Sequence, residues 1–389
     1  MTEVKPILIS GAGLASLLLG RSLLLHGIPF DIFERDDGMD LRGQGYRLRL
    51  SNEGLDAIES VLDPPSFEQF FQRCGKTGGR GLQTFNAVTG EFIEHHSPQQ
   101  IISREGKIVG IARGDMRKEF MSVIEHRIHW GKDVEGYELT ESGVRCVFAD
   151  GSKSIEGSML VGGDGLRSKI AKQVSGGKLV VYDTEARGIH GQAPTTAFKG
   201  LGEGVFRIED TTQAAGTVGI ITNVRPGDMD DPTVEFGWTM IAQPGVIDEP
   251  SDKYAIVGKT AADLAKSLTA NWNDRFKPLF EQMNVKEAAF WKITCSTPSG
   301  VPVWPNVSRV TVIGDAAHSM TPAGGIGANT ALRDSALLGR LLGEAGGFKP
   351  GLTEEYERRM RVYASEAVKG SHDNMQATLK FGELNKILA

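Results

Sequence analysis

Apolar residues along the chain fall into two periods, and the change from one to the other divides it. Near the N-terminus, Pro6-Ile7-Leu8-Ile9 is a short continuous apolar run, and Leu14 to His26 carries leucines on most faces. That is the pattern of a buried strand feeding a helix packed under a sheet. Phe30-Asp31-Ile32-Phe33 follows as a second strand, and Met159 to Val161 and Val310 to Ile313 repeat the short apolar run far downstream. Between Ser175 and Phe290 the period drops to two, in Val205 to Ile208, Thr217 to Thr222 and Val234 to Ile241. In the last of these Val234, Phe236, Trp238 and Met240 share one face, while Glu235, Gly237 and Thr239 share the other. The alternation predicts an antiparallel sheet whose apolar side covers either an ordinary core or an apolar ligand. Gly136 to Thr140 and Gly143 to Phe148 read as a strand pair, and Trp291 to Cys295 as a further strand. Helical segments are expected within Ala261 to Met283 and along Thr353 to Leu388, the latter broken near Gly370 and Gly382.

Glycine marks the ends of three of the apolar runs. Gly11-Ala12-Gly13-Leu14-Ala15-Ser16 separates the first strand from its helix, and Glu34 ends the second strand 21 residues after Gly13. This is a βαβ unit with a dinucleotide fingerprint: Gly11 allows the tight turn, Gly13 lets a pyrophosphate approach the backbone, and Glu34 can accept from ribose hydroxyls. Ser16 stands where the third glycine is usual. The second run ends in Gly162-Gly163-Asp164-Gly165-Leu166-Arg167-Ser168, where Asp164 is either a ligand group or a helix cap. The third stops at Gly314-Asp315, after which a loop with Gly324, Gly325 and Gly327 opens a long amphipathic helix. Unpaired amides and the helix dipole favour an anionic group at such a start. Arg113 precedes a helix expected from Met116, with Asp115 as its N-cap. Arg42, in the loop Arg42-Gly43-Gln44-Gly45-Tyr46, is placed to neutralise a pyrophosphate, whereas Arg47 and Arg49 fit a solvated strand equally well.

Composition narrows the function classes. The 389 residues exceed one average domain, and 49 are glycine, well above the usual ~7%. A net charge of −6 without a basic run argues against nucleic acid or anionic lipid as partner. Cys74, Cys146 and Cys295 are far apart, so neither a disulfide framework nor a metal-ligand pattern is indicated. The Leu14 to Leu25 run is too short to span a bilayer and lacks signal-peptide flanks. The expectation is a cytoplasmic protein with no membrane anchor.

The GAGLAS loop with Glu34, the Arg113 helix, VGGDGLRS and VIGDAAHSMTPAGGIGAN, in that order, resemble the flavoprotein aromatic hydroxylases. These are single-component FAD monooxygenases related to para-hydroxybenzoate hydroxylase, salicylate hydroxylase, the tetracycline-inactivating enzymes and fungal secondary-metabolism monooxygenases. The resemblance covers about residues 4 to 345. It implies an α/β fold, with a Rossmann-like FAD-binding domain, a β-sheet substrate domain and C-terminal helices. The corresponding division is 1–74, 101–180 and 291–348 for FAD, 75–100 and 181–290 for substrate, and 349–389 for the helical segment. It further implies that Gly11, Gly13, Ala15, Glu34 and Arg35 hold the adenosine half of FAD, with Arg42 near the pyrophosphate or ring. Arg113, or else Arg117, would contact the flavin chain, and Asp164 and Arg167 would serve FAD and NAD(P)H together. Asp315 would accept from the ribityl chain, and Pro322, Gly324, Gly325, Gly327, Ala328 and Asn329 would lie beside the ring.

The implied reaction consumes NAD(P)H and O2 and transfers one oxygen atom, through a flavin hydroperoxide, to a small organic substrate. An apolar aromatic or polycyclic natural product, hydroxylated or epoxidised, is expected from the Phe236, Trp238 and Met240 face. No catalytic acid or base stands out; Tyr46, Arg47 and His190 are candidates. The alternatives on this fold are a flavin-dependent dehydrogenase or reductase, a Baeyer–Villiger oxidase, and a non-catalytic protein similar to the GDP-dissociation inhibitors.

Overall fold

The short apolar runs that end in glycine lie side by side. In the computed structural model, which describes residues 4–39, 47–78, 81–96, 102–225, 233–251, 253–382, 384 and 387, they form a five-stranded parallel sheet. Its order is Val310–Val312, Met159–Gly162, Ile7–Ser10, Phe30–Phe33, Ile128–His129. Ile7–Ser10 and Met159–Gly162 are buried at every position, as strands covered on both faces must be. Register places Ser10 opposite both Gly162 and Phe33, and Gly162 opposite Val312. Three turns, after Ser10, Gly162 and Ile313, therefore open on one edge of the sheet. Helix Leu14–Leu25 lies beneath it against helix Gly327–Ala345, so close that Ser335 Oγ donates to Ala15 O at 2.7 Å.

The alternating segments build an eight-stranded sheet in the order Ala255–Val257, Ala289–Ser296, Val181–Pro194, Glu235–Ala242, Val218–Val224, Gly204–Asp210, Leu82–Asn86, Phe92–His96. All its pairs are antiparallel except Gly204–Asp210 with Leu82–Asn86. Helices Lys259–Leu268 and Pro278–Glu281 close one face over a second core. The strand Ala289–Ser296 lies wholly in this sheet, so the sheet runs past residue 290. Gly75–Thr77 instead joins Arg47–Leu50 and Ile108–Ala112 in a small three-stranded sheet, and the large one begins at Leu82.

Two local expectations differ from what is observed. Helix Arg113–Met121 starts directly after strand Ile108–Ala112, with Ala112 as an N-cap that makes no side-chain bond; Asp115 sits in its first turn, where the helix dipole favours an acid. The C-terminal helix, Leu352–Leu379, runs unbroken through Gly370. One interior glycine costs only about 1 kcal/mol, and Val368 and Ser371 are fully buried on either side of it. This helix touches both sheets. Tyr356 OH donates to Val312 O at 3.2 Å, while Met375, Leu379 and Phe381 pack with Ile241 and Trp291. No helix among the described residues is long and apolar enough to cross a membrane.

Candidate functional site

The turn after Ile7–Ser10 can be made only by glycine. Gly11 has φ +87°, and a Cβ there would lie 2.7 Å from Asp164 Cα and from Gly163 O, backbone atoms that cannot step aside. Gly13 differs: its φ is −74° and a Cβ would meet nothing nearer than Gly163 O at 3.7 Å. The chain's own packing does not demand glycine there, so the space before the helix is free for something else. Gly13 has no side chain with which to cap Leu14–Leu25, and the first-turn amides face that space. Glu34, nearly buried, stands at its mouth; its Oε2 accepts from Ala12 N at 2.7 Å and its Oε1 from Asp36 N at 3.1 Å. Buried Arg117 donates from Nε to Ala12 O at 3.0 Å and so braces the loop from beneath. A Cβ on Gly163 would come within 2.1 Å of Ser16 Oγ, so the closeness usually given by a third glycine is supplied from the facing strand. Ala15 packs at the base of the third turn, 3.4 Å from where Gly314 would carry a Cβ.

Asp164 leads the second turn. Ser168, not Asp164, caps helix Lys169–Val174 by accepting from Ala171 N at 2.9 Å, and Asp164 Oδ1 accepts from Ser168 Oγ at 2.6 Å. Burial pushes the Asp164 carboxyl up to about 6, against the opposing pull of Ser168, nearby amides and Arg35. Because the folded value lies above the ordinary 3.8, ionisation costs stability as pH rises from about 4 through about 6. Asp164→Asn in the cofactor-free protein should raise the unfolding free energy above pH 6, by at most about 3 kcal/mol less what solvent in the cleft screens, and the gain should fade toward pH 4. A gain independent of pH would contradict the assignment. Arg167 is exposed, its guanidinium 5.8 Å from the Tyr254 ring.

The third turn presents Asp315, whose residue surface is exposed although protein surrounds its carboxylate. Burial raises its pKa, opposed by His318 and by Arg113 at the start of the neighbouring helix, and reinforced by Asp334. An accessible yet desolvated carboxylate looks into a cleft, not into bulk water. A small cavity lined by Leu166, Ser168, Ser296, Asp315 and Ser319 joins the second turn to the third.

Beyond it, Pro322 leads the turn Ala323–Gly325, where Gly324 and Gly325 have φ +74° and +61°, into helix Gly327–Ala345 with half-exposed Ala328 in its first turn. Arg49 Nη2 donates to Gly324 O at 2.7 Å, so this arginine is no solvated strand residue but a prop of the loop. The side chain of Asn329 is fully used: Oδ1 accepts from Ser51 N at 2.9 Å, and Nδ2 donates to Arg49 O at 2.9 Å and Gly325 O at 2.8 Å. It shapes the loop from behind instead of reaching a ligand. Asp334 and Tyr363 escaped the sequence reading, although an aspartate on the buried stripe of Leu332, Ser335, Leu338 and Leu342 has to find partners there.

The expected substrate face needs correction. Phe236, Trp238 and Met240 are essentially unexposed and point at the helical layer: Trp238 Nε1 donates to Leu279 O at 3.2 Å, and its ring meets Phe280 edge-on at 5.0 Å. Each contributes about 1.5–3 kcal/mol as core, which accounts for the alternation. The opposite face carries His190 beside Thr239 and Gln192 beside Gly237, and its Ile241 and Trp291, like Ala323 of the loop before helix Gly327–Ala345, pack against the small cluster of Ala186, Ile293, Met375, Leu379 and Phe381. Burial lowers the His190 pKa to about 4. Arg47 Nη2 donates to Gly110 O at 2.9 Å in the small sheet. Arg42 and Tyr46 lie outside the described residues. Burial pushes the thiols of Cys74, Cys146 and Cys295 up to about 12, and among the described residues no group of His, Cys, Asp and Glu could hold a metal.

Residues 270–371 match the family model described as FAD binding domain. The chain is 30% identical, over 99% of its length, to the dual O-methyltransferase/FAD-dependent monooxygenase elcB of Phaeosphaeria nodorum, of which it spans 44%. It is 26% identical, over 86% of its length and 82% of the relative's, to the FAD-dependent monooxygenase thnD of Trichoderma harzianum. Its fold superposes on CtdE, solved in complex with FAD and a substrate, with a TM-score of 0.79 at 19% identity, covering 98% of this chain and 91% of that one.

Proposed function

We propose that the chain, like the fungal FAD-dependent monooxygenases it is similar to, consumes NAD(P)H and O2 to insert one oxygen atom into an apolar aromatic or polycyclic natural product, by hydroxylation or epoxidation. Its cofactor is FAD, and the open edge of the parallel sheet fits that group. The observation that carries the reading is the Asp315 carboxylate, accessible but desolvated, on the edge shared with the vacant approach to Gly13.

Gly13 and the uncapped first turn of Leu14–Leu25 would take the pyrophosphate. Glu34 would accept from the adenosine ribose, Asp315 from the ribityl hydroxyls, and the turn from Pro322 to Gly327 would bed the ring. Bound FAD would supply the hydride acceptance and oxygen activation. The chain's part is orientation and dryness. Arg49 and Asn329 fix the ring-side loop, and Ala323 ties it to the small apolar cluster that Ile241 and Trp291 of the large sheet also join. Amides at the start of helix Gly327–Ala345 favour negative charge near them.

The test is the purified full chain with FAD, NADH or NADPH and isotopically labelled O2, offered a panel of aromatic and polycyclic compounds. A substrate-dependent product carrying one labelled oxygen on a ring or across a double bond is expected. Nicotinamide oxidation coupled to product without label points to a reductase, and a ketone converted to a labelled ester to a Baeyer–Villiger oxidase; either result overturns the reading.

A further inference from the structure

Asp315 faces the cleft, but what aims it lies behind. The turn Asp315–His318 begins after Gly314, whose φ of +61° belongs to the left-handed region. Completely buried Asp334 of helix Gly327–Ala345 accepts three hydrogen bonds from three different places. Gly314 N donates to its Oδ2 at 2.7 Å, His318 Nε2 donates to the same oxygen at 2.6 Å, and Tyr363 OH of the C-terminal helix donates to its Oδ1 at 2.6 Å. One carboxylate oxygen thereby grips both ends of the single turn that carries Asp315.

A carboxylate in this position is an expensive way to stabilise a helix packing. An apolar residue of similar size is often as good or better for stability, and what a buried polar group adds is one defined geometry. The donors say which geometry is at stake. Two of the three belong to the Asp315 turn, and only Tyr363 belongs to the packing of helix on helix.

We propose that Asp334 is the positioning residue of the cofactor site, setting through Gly314 and His318 the direction in which Asp315 enters the cleft. The proposal rests on the reading that this cleft holds FAD. His318 fits the same role: burial disfavours its charge, but Asp334 and Asp315 outweigh that and raise its pKa, which strengthens the bond that closes the turn.

The experiment uses the full chain stripped of flavin and titrated with FAD by fluorescence, beside the thermal midpoint of the cofactor-free protein and the visible absorption of the reconstituted one. Asp334→Asn removes the charge and one of the two acceptor oxygens that Gly314 N, His318 Nε2 and Tyr363 OH bond to, and is expected to weaken FAD about tenfold or more and to shift the bound flavin spectrum. Tyr363→Phe removes only the helix tie; it should lower the thermal midpoint while leaving FAD affinity within about twofold and the spectrum unchanged. If Asp334→Asn does not fold, His318→Leu, which removes the donor at one end of the turn, is expected to give the same spectral shift and loss of affinity. Wild-type affinity and spectrum in Asp334→Asn or His318→Leu would overturn the proposal, as would an equal loss of affinity in Tyr363→Phe. A wild-type chain that takes up no FAD would overturn the reading of the cleft instead.

Discussion

Asp315→Ala is expected to lower FAD affinity roughly ten- to hundredfold, the effect of removing a charge-assisted hydrogen bond worth about 1.5–3 kcal/mol. The carboxylate is accessible from the cleft, so deleting it takes a ligand contact away without opening the core. The cofactor-free protein should accordingly melt at or above the wild-type temperature, because a desolvated carboxylate that raises its own pKa is a burden when nothing binds it. Asp315→Asn keeps an acceptor of the same shape and should lie between. Titration of the stripped protein with FAD measures all three, and an alanine variant that purifies with a full complement of flavin would remove Asp315 from the site.

The two glycines of the first turn should fail in different ways. Gly11→Ala puts a methyl group into the Gly163–Asp164 backbone at a φ of +87°. Backbone strain alone costs on the order of 1–3 kcal/mol, and the clash adds to it, so the cofactor-free protein itself should lose stability. Gly13→Ala has room within the protein, with its nearest neighbour at 3.7 Å. Its thermal midpoint without cofactor should stay near wild type, whereas FAD binding should fall at least tenfold, since the added methyl occupies the approach to the helix amides. Melting curves with and without FAD separate the cases. Equal destabilisation of both cofactor-free variants would mean that Gly13 serves the fold and not the ligand.

Much of this site could be read from sequence because its signals are local. A strand, a glycine turn and a helix start occupy consecutive residues, so Gly11, Asp164 and Asp315 are found by inspecting a few positions each. What could not be read arises from contacts between distant segments. Asn329 looks like a ligand residue in its motif, yet it bonds to Ser51 and Arg49 some 280 residues away in sequence. Arg49 looks solvated in an alternating strand until the loop at Gly324 is folded over it. Alternation in Glu235–Ala242 correctly gave a strand with one apolar face, but period two does not say which layer that face meets. The helices Lys259–Leu268 and Pro278–Glu281 meet it, and the mixed face is the one that packs against Met375, Leu379 and Phe381.

The long helix Leu352–Leu379 has a thermodynamic consequence of its own. It is anchored at one end on Val312 and Thr311 of the parallel sheet and at the other, through Met375, Leu379 and Phe381, on the large sheet, with Thr321 and Ser371 bonded at 2.6 Å midway. The helix contributes side chains to the core of the parallel sheet and to the small cluster on the large one, so the two sheets are expected to melt in a single coupled transition. Free energy released by a ligand at the edge of the parallel sheet is then felt by the whole chain, and FAD should protect backbone amides of the distant eight-stranded sheet from exchange as well as those of its own turns.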